Sequence, residues 1–175
     1  QGTLEAWVKI PSDETDNIDN FIIGKHQAGS ANGLFLGTYD FAQPSTAEFT
    51  FFLQSDPRLG NNTGHINDGE WHHVASVFPN GATEGEQILH YIDGVLDPQA
   101  GGTSLTIDTE IVTDADIDWT NANSAESYPV HIGARLTHGW GSMLTGSMAD
   151  VRIYNQGLSE EQIRALISAG APDKT

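Results

Sequence analysis

The sequence predicts an all-β domain: two antiparallel sheets packed face to face, with one short helix near the C-terminus. Three observations support this. Short runs of apolar, β-branched and aromatic residues recur along the chain, separated by Gly, Ser, Asn and Pro clusters that make turns. No strand–helix–strand rhythm of the kind that builds parallel sheets is present. A single helical pattern occurs, and it comes late. The 175 residues suit one domain with one substantial core. Residues 1–175 are therefore read as a single domain, a piece of a longer chain, because a strand begins almost at Gln1.

The first strand spans Thr3–Ile10, with Leu4, Ala6, Val8 and Ile10 on one face and Glu5, Trp7 and Lys9 on the other. Asp13–Asn20 is an acidic loop. Phe21–Lys25 and Gly33–Tyr39 are the next strands. Ala47–Gln54 follows, with Phe49, Phe51 and Leu53 alternating against Glu48, Thr50 and Gln54. Trp71–Phe78 is rich in aromatic and β-branched residues, and Gln87–Ile92 is expected to pair with it across the loop Pro79–Glu86. Asp93-Gly94 is a strong hairpin signal. Thr103–Ile107 reads as a further strand and Asp108–Ser127 as a long polar loop. Val130–Ala134 is a strand, and Leu136–Thr145 a glycine-rich loop carrying Trp140. Trp7, Trp71, Val74, Val77, Ile92, Val151 and Ile153 are the expected core.

The closing segment is the best defined. A strand through Val151–Asn155 leads to Ser159, a good N-cap, with Gln162 three residues on as a capping box requires. Glu160 and Glu161 bring negative charge to the first turn, where the helix dipole favours it. Ile163, Leu166 and Ile167 share one face, and Gly170 with Pro172 ends the helix.

Composition narrows the function. Lysine and arginine number 7 against 24 aspartates and glutamates, a formal charge of −17. Phosphates would be repelled, so nucleic acid and anionic membranes are poor partners. Salt screens such charge over roughly 10 Å, so a saline medium suits the chain. Cysteine is absent, which removes disulfides and thiol chemistry. No apolar run approaches the ~18 residues of a membrane span, so membrane insertion is not expected. No signal peptide is recognised in these residues.

Several segments together resemble the laminin-G-like, or pentraxin-like, domains of the concanavalin A-like jelly-roll superfamily. Gly2-Thr3-Leu4-Glu5-Ala6-Trp7-Val8-Lys9 is similar to the family's early strand. Asp68-Gly69-Glu70-Trp71-His72-His73-Val74-Ala75 matches its central W-H-H-V-A strand, and Tyr91-Ile92-Asp93-Gly94 its Y-x-D-G hairpin. Ile132-Gly133 and the run Gly146–Ser159 complete the order. The resemblance implies a two-sheet antiparallel jelly-roll sandwich. It also implies a strand preceding the first one here, either cut off or supplied from elsewhere.

Adjacent His72 and His73 point to opposite sides of a strand, so they cannot chelate one ion together. The resemblance makes both structural. Asp114, Asp116 and Asp118 alternate along a loop, a pattern that can wrap calcium, which takes 6–8 oxygens; a solvated acidic loop is the alternative. Asp150 lies where related jelly rolls hold a structural ion, although Ala149 replaces the preceding family aspartate. The segment Ala134–Trp140 lacks the acidic and amide residues of the pentraxin calcium site. Calcium is thus the one cofactor the chain suggests, through Asp114, Asp116, Asp118 and Asp150.

Sugars stack on flat rings with a few convergent polar groups nearby. Trp140, His138, Arg135, Trp119 and Tyr128 could form such a site; equally, the rings could fold back as lids over the sandwich. Retaining glycosidases need paired carboxylates, and no strand carries the related enzymes' alternating acidic motif. Tyr154-Asn155-Gln156 matches one fragment of the jelly-roll lyases, whose arginine-rich and Q-x-H strands are missing. The expectation is a non-catalytic carbohydrate-binding or adhesion module of a secreted or surface protein, bacterial in origin. Its partners would be a glycan or cell-surface polysaccharide and other domains of the same chain or neighbouring subunits. The rival is a structural or assembly domain with no small ligand.

Overall fold

A computed structural model of the protein describes residues 2–12, 20–26, 33–39, 48–53, 66–78, 89–96, 130–134, 143–170 and 172. Nine strands and one helix occur among them: β1 Gly2–Lys9, β2 Asn20–His26, β3 Gly33–Tyr39, β4 Glu48–Leu53, β5 Trp71–Phe78, β6 Leu89–Ile92, β7 Val95–Leu96, β8 His131–Ile132, β9 Ser147–Tyr154 and α1 Glu160–Gly170. Two antiparallel sheets form, in the orders β7-β6-β5-β1-β9 and β4-β3-β2-β8. This is the expected sandwich with its short C-terminal helix. The expected strand Thr103–Ile107 and the loop Asp108–Ser127 lie outside the described residues.

Strand β1 is the keystone because β5 and β9 pair with its two sides. Leu4, Ala6, Val8 and Ile10 point between the sheets and are buried with Ile22, Ile23, Leu36, Ile66 and Val74. The opposite face of β1 is buried too, so its burial is continuous from Gly2 to Val8. Helix α1 accounts for part of this. Leu158 and Ile163 pack on Ala75, Val77 and Tyr91, on the side of the five-stranded sheet away from the core.

Strand β9 carries a bulge that fixes its faces. Glu5 pairs with Arg152 and Trp7 with Ala149, so Asp150 and Val151 together oppose Ala6. Asp150 sits at φ +55°, a conformation that aspartate tolerates better than most residues. Strict alternation would send Met148 and Val151 to opposite faces. The extra residue lets both pack on the inter-sheet core and brings Arg152 level with Glu5.

The capping box forms as the sequence requires. Ser159 N–H donates to Gln162 Oε1 at 2.8 Å, and Gln162 N–H donates to Ser159 Oγ at 3.3 Å. Asp93 and Gly94, both at positive φ, turn β6 into β7. Gly94 lies under α1, and a Cβ there would stand 3.0 Å from both Arg164 Cγ and Ile167 Cδ1. Of the expected core, Trp7, Val74 and Val77 are buried, and Ile92 and Val151 are partly buried against the core. Trp71 is only half-buried, at the end of β5 opposite Lys9. Ile153 is a correction: it is 44% exposed, because β9 is the outermost described strand of its sheet.

Candidate functional site

Trp140, His138, Arg135, Trp119, Tyr128, Asp114, Asp116 and Asp118 lie outside the described residues. Asp150 is described, and its carboxylate accepts a hydrogen bond from Arg152 Nη2 at 2.7 Å. A calcium ion there would have to displace that guanidinium. Among the described residues, no group of three His, Asp or Glu side chains is placed to hold a metal.

The densest polar constellation lies on the helix-bearing side of the five-stranded sheet. Its centre is Glu5, fully buried in the middle of β1. Three neighbours reach it. His73 Nε2 of β5 lies 3.0 Å from Glu5 Oε2, Arg152 Nη1 of β9 donates to Oε1 at 2.9 Å, and Tyr154 Oη donates to Oε1 at 3.2 Å. The bulge at Asp150 is what aligns Arg152 and Tyr154 with Glu5. Gly170, the last residue of α1, lies against the Asp150–Arg152 ion pair, since a Cβ there would meet Asp150 Oδ2 at 2.8 Å and Arg152 Nη2 at 3.6 Å.

Burial alone would push the Glu5 carboxyl up. The hydrogen bonds from His73, Arg152 and Tyr154 outweigh it and hold the group below its ordinary 4.5. The bond to Glu5 raises the Arg152 guanidinium further. Burial, and then the Glu5 charge, raise the Tyr154 phenol. His73 packs edge-on against Trp7, centroids 5.4 Å apart, and its Nδ1 is buried with no hydrogen-bond partner among the described residues. A hydrogen on Nδ1 would be a buried donor without an acceptor, so the geometry assigns the hydrogen to Nε2. The group is a brace joining β1, β5 and β9.

A second group sits at the end of the sheet. His72 Nδ1 is 2.8 Å from Asp93 Oδ2, and Nε2 is 3.0 Å from Asp68 Oδ1. Asp93 also accepts from the His73 N–H at 2.9 Å, and Asp68 from the Glu70 N–H at 2.8 Å. His72 and His73 thus face opposite ways, as strand geometry requires, and each has its own carboxylate partner. The sequence reading missed Glu5, Asp68 and Asp93 as those partners. A charged residue inside the apolar run Leu4–Val8 was the available signal, since buried charges need partners.

The Laminin_G_3 family model, described as the concanavalin A-like lectin/glucanases superfamily, matches residues 1–164. The chain belongs to that superfamily. No curated protein sequence matches it. Among solved structures, the Trypanosoma rangeli sialidase in complex with sialic acid is similar at 20% identity and a TM-score of 0.55. That match covers 94% of this chain but 22% of the sialidase, so the chain spans about a fifth of that enzyme. The Ruminococcus gnavus IT-sialidase CBM40 bound to alpha2,3 sialyllactose is similar over 95% of this chain and 82% of its own, at 13% identity and a TM-score of 0.57. The native heptameric SAP-like pentraxin of Limulus polyphemus matches at 15% identity and a TM-score of 0.55, over 95% of this chain and 69% of its own. At these identities the likeness to the three structures is one of fold.

Proposed function

We propose that the chain is a non-catalytic carbohydrate-binding or adhesion module of a larger secreted or surface protein, bacterial in origin. The observation that carries this reading is the enclosure of Glu5. Among the described residues, the only carboxylate–histidine–arginine–tyrosine group on this lectin and glucanase fold is shut away from substrate. An acid or base must reach the proton it transfers, and Glu5 reaches only its three partners. The similar CBM40 is itself described as bound to a sialylated sugar, which supports a binding role for the fold.

The proposed contact residues are Trp140 with His138 and Arg135, joined by Trp119 or Tyr128. A charge of −17 opposes acidic sugars, so neutral glycans are the proposed class. On a glycan array, the protein should retain a neutral glycan, and Trp140→Ala should abolish retention with an unchanged melting temperature. Retention that survives the substitution, or a fold that collapses, would remove Trp140 from the site.

Calcium remains the proposed cofactor of the loop Asp114–Asp118. A ligand that binds only the folded state raises its stability. Millimolar calcium should therefore raise the melting temperature and a chelator lower it; identical melting curves would dispose of the site. One observation favours the rival assembly role: Val130, Ile132 and Met143 are 42%, 57% and 63% exposed. A mass in light scattering that grows with concentration, with no retained glycan, would favour that reading.

A further inference from the structure

The surroundings of His72 contain a requirement that only one protonation state meets. A carboxylate oxygen lies against each ring nitrogen, at 2.8 Å and 3.0 Å. A neutral imidazole carries one N–H and one lone pair, so it can satisfy only one of two ionised carboxylates. The doubly protonated ring satisfies both. We propose that His72 is a charge-dependent pin, fastening the 66–70 loop to the turn between β6 and β7 while both ring nitrogens carry protons.

The groups that decide its state are few. Asp68 faces it from the loop and Asp93 from the turn. On β1 the residue opposite is Val8, while the neighbouring Lys9 and Glu70 are exposed to solvent. His73, the next residue on β5, points to the opposite face of the sheet and meets Asp93 through its backbone. The hydrogen bond to Asp93, then Asp68 and the two carboxylate charges, outweigh burial and raise His72 from 6.5 to about 8. Hydrogen bonding to His72, with backbone amides, holds both carboxyls below their ordinary 3.8 despite burial, with the Glu70 amide the largest contributor at Asp68.

The sign follows. The imidazolium is favoured in the fold, so its contribution is complete below about pH 6.5 and is lost as pH rises through about 8. The aspartates add theirs above about pH 3.8, and it is lost as pH falls through their lower folded values. The pin is closed across mildly acidic to neutral pH and opens in alkali.

Which side lets go is also written in the geometry. Asp93 is tied twice more to β5: Oδ1 accepts from the His73 N–H, and its own N–H donates to the His73 carbonyl at 2.8 Å. Its turn is held under α1, where Arg164 Nε donates to the Gly94 carbonyl at 3.1 Å. The two side chains are similarly exposed, 55% for Asp68 and 47% for Asp93, but among the described residues Asp68 has no such ties to the sheet, and water can replace its bond to His72. Deprotonation therefore leaves the hydrogen on Nδ1, facing Asp93, and frees Asp68. The loop is then held by the Gly69 N–H on the Ile10 carbonyl and by buried Ile66. The movement is one of Asp68 and Glu70, on either side of the Gly69 anchor and adjoining Trp71.

Nitrogen-15 NMR of the ring, with amide hydrogen exchange, tests this on the chain as it stands. At about pH 6 both His72 ring nitrogens should be protonated, and at about pH 9.5 only Nδ1, with a midpoint near 8. Protection of the Glu70 amide, corrected for intrinsic exchange, should fall roughly two- to fivefold across that range, the scale of one exposed ion pair. Asp68→Asn should lower the midpoint and remove the pH dependence of that protection in a folded protein. A His72 midpoint near the ordinary 6.5, a hydrogen kept on Nε2 in alkali, or unchanged Glu70 protection in the unsubstituted chain would each overturn the pin.

Discussion

Replacing Glu5 with alanine should destabilise the fold by about 3 kcal/mol, lowering the melting temperature by roughly 10 °C for a domain of this size. The substitution leaves three donors facing a void. Arg152 Nη1, Tyr154 Oη and His73 Nε2 all lose their acceptor, and a buried donor without a partner costs about 1–3 kcal/mol. Arg152 is 35% exposed and can turn to water, which keeps the total at the low end of the ~3–5 kcal/mol seen when a buried pair is broken. Glu5→Gln keeps one acceptor oxygen and should cost about half as much.

The pH dependence separates charge from shape. Glu5 is held below its ordinary 4.5 in the fold. Its ionised form therefore stabilises the protein fully above about pH 4.5, and that contribution is lost as pH falls through the lower folded value. Glu5→Gln should flatten this acid limb. Melting curves from about pH 2.5 to 6 measure it. An alanine variant within ~1 kcal/mol of the parent would mean that water replaces the brace without cost.

Local chemistry was readable in the sequence and long-range pairing was not. The Ser159–Gln162 cap and the Asp93-Gly94 turn depend on neighbours a few residues apart, and both form as expected. Alternation in β1 correctly gave the inward face of Leu4, Ala6, Val8 and Ile10. It gave no hint that Glu5 is buried beside Trp7 on the outer face, because that depends on β5, β9 and α1 arriving from far along the chain. Glu5 meets Arg152 across 147 residues and His73 across 68. Periodicity carries no information at that range. Ile153 shows the converse error: β-branched density marks a strand, and strand order decides whether it is central. Apart from Asp150 on β9, the ring and acidic residues expected to bind ligand stand in segments read as loops, where periodicity offers no register to place them.

Gly146→Ala should cost about 3–4 kcal/mol, as much as any core truncation of moderate size. Gly146 opens β9, and its φ of +139° is one that side-chain-bearing residues rarely adopt. A Cβ there would run into the carbonyl oxygen of Lys9, and would stand 3.1 Å from its carbonyl carbon and 3.3 Å from Ile10 Cα. All three are backbone atoms at the end of β1, which is paired on both sides, so they have no rotamer through which to retreat. The strain can be relieved only by lifting the start of β9, which breaks the pairing of Ser147 with Lys9. It would also strain the preceding anchors, where Leu144 N–H donates to the Gly133 carbonyl and Thr145 N–H to Asn20 Oδ1. Gly69→Ala is the internal control. Gly69 also has positive φ, at +84°, but a Cβ there meets nothing within 4 Å. That substitution carries conformational strain alone, about 1–2 kcal/mol. If the two alanines prove equally costly in denaturant unfolding, the close approach of β9 to Lys9 does not decide the register of this sheet edge. A clear excess for Gly146 means that it does.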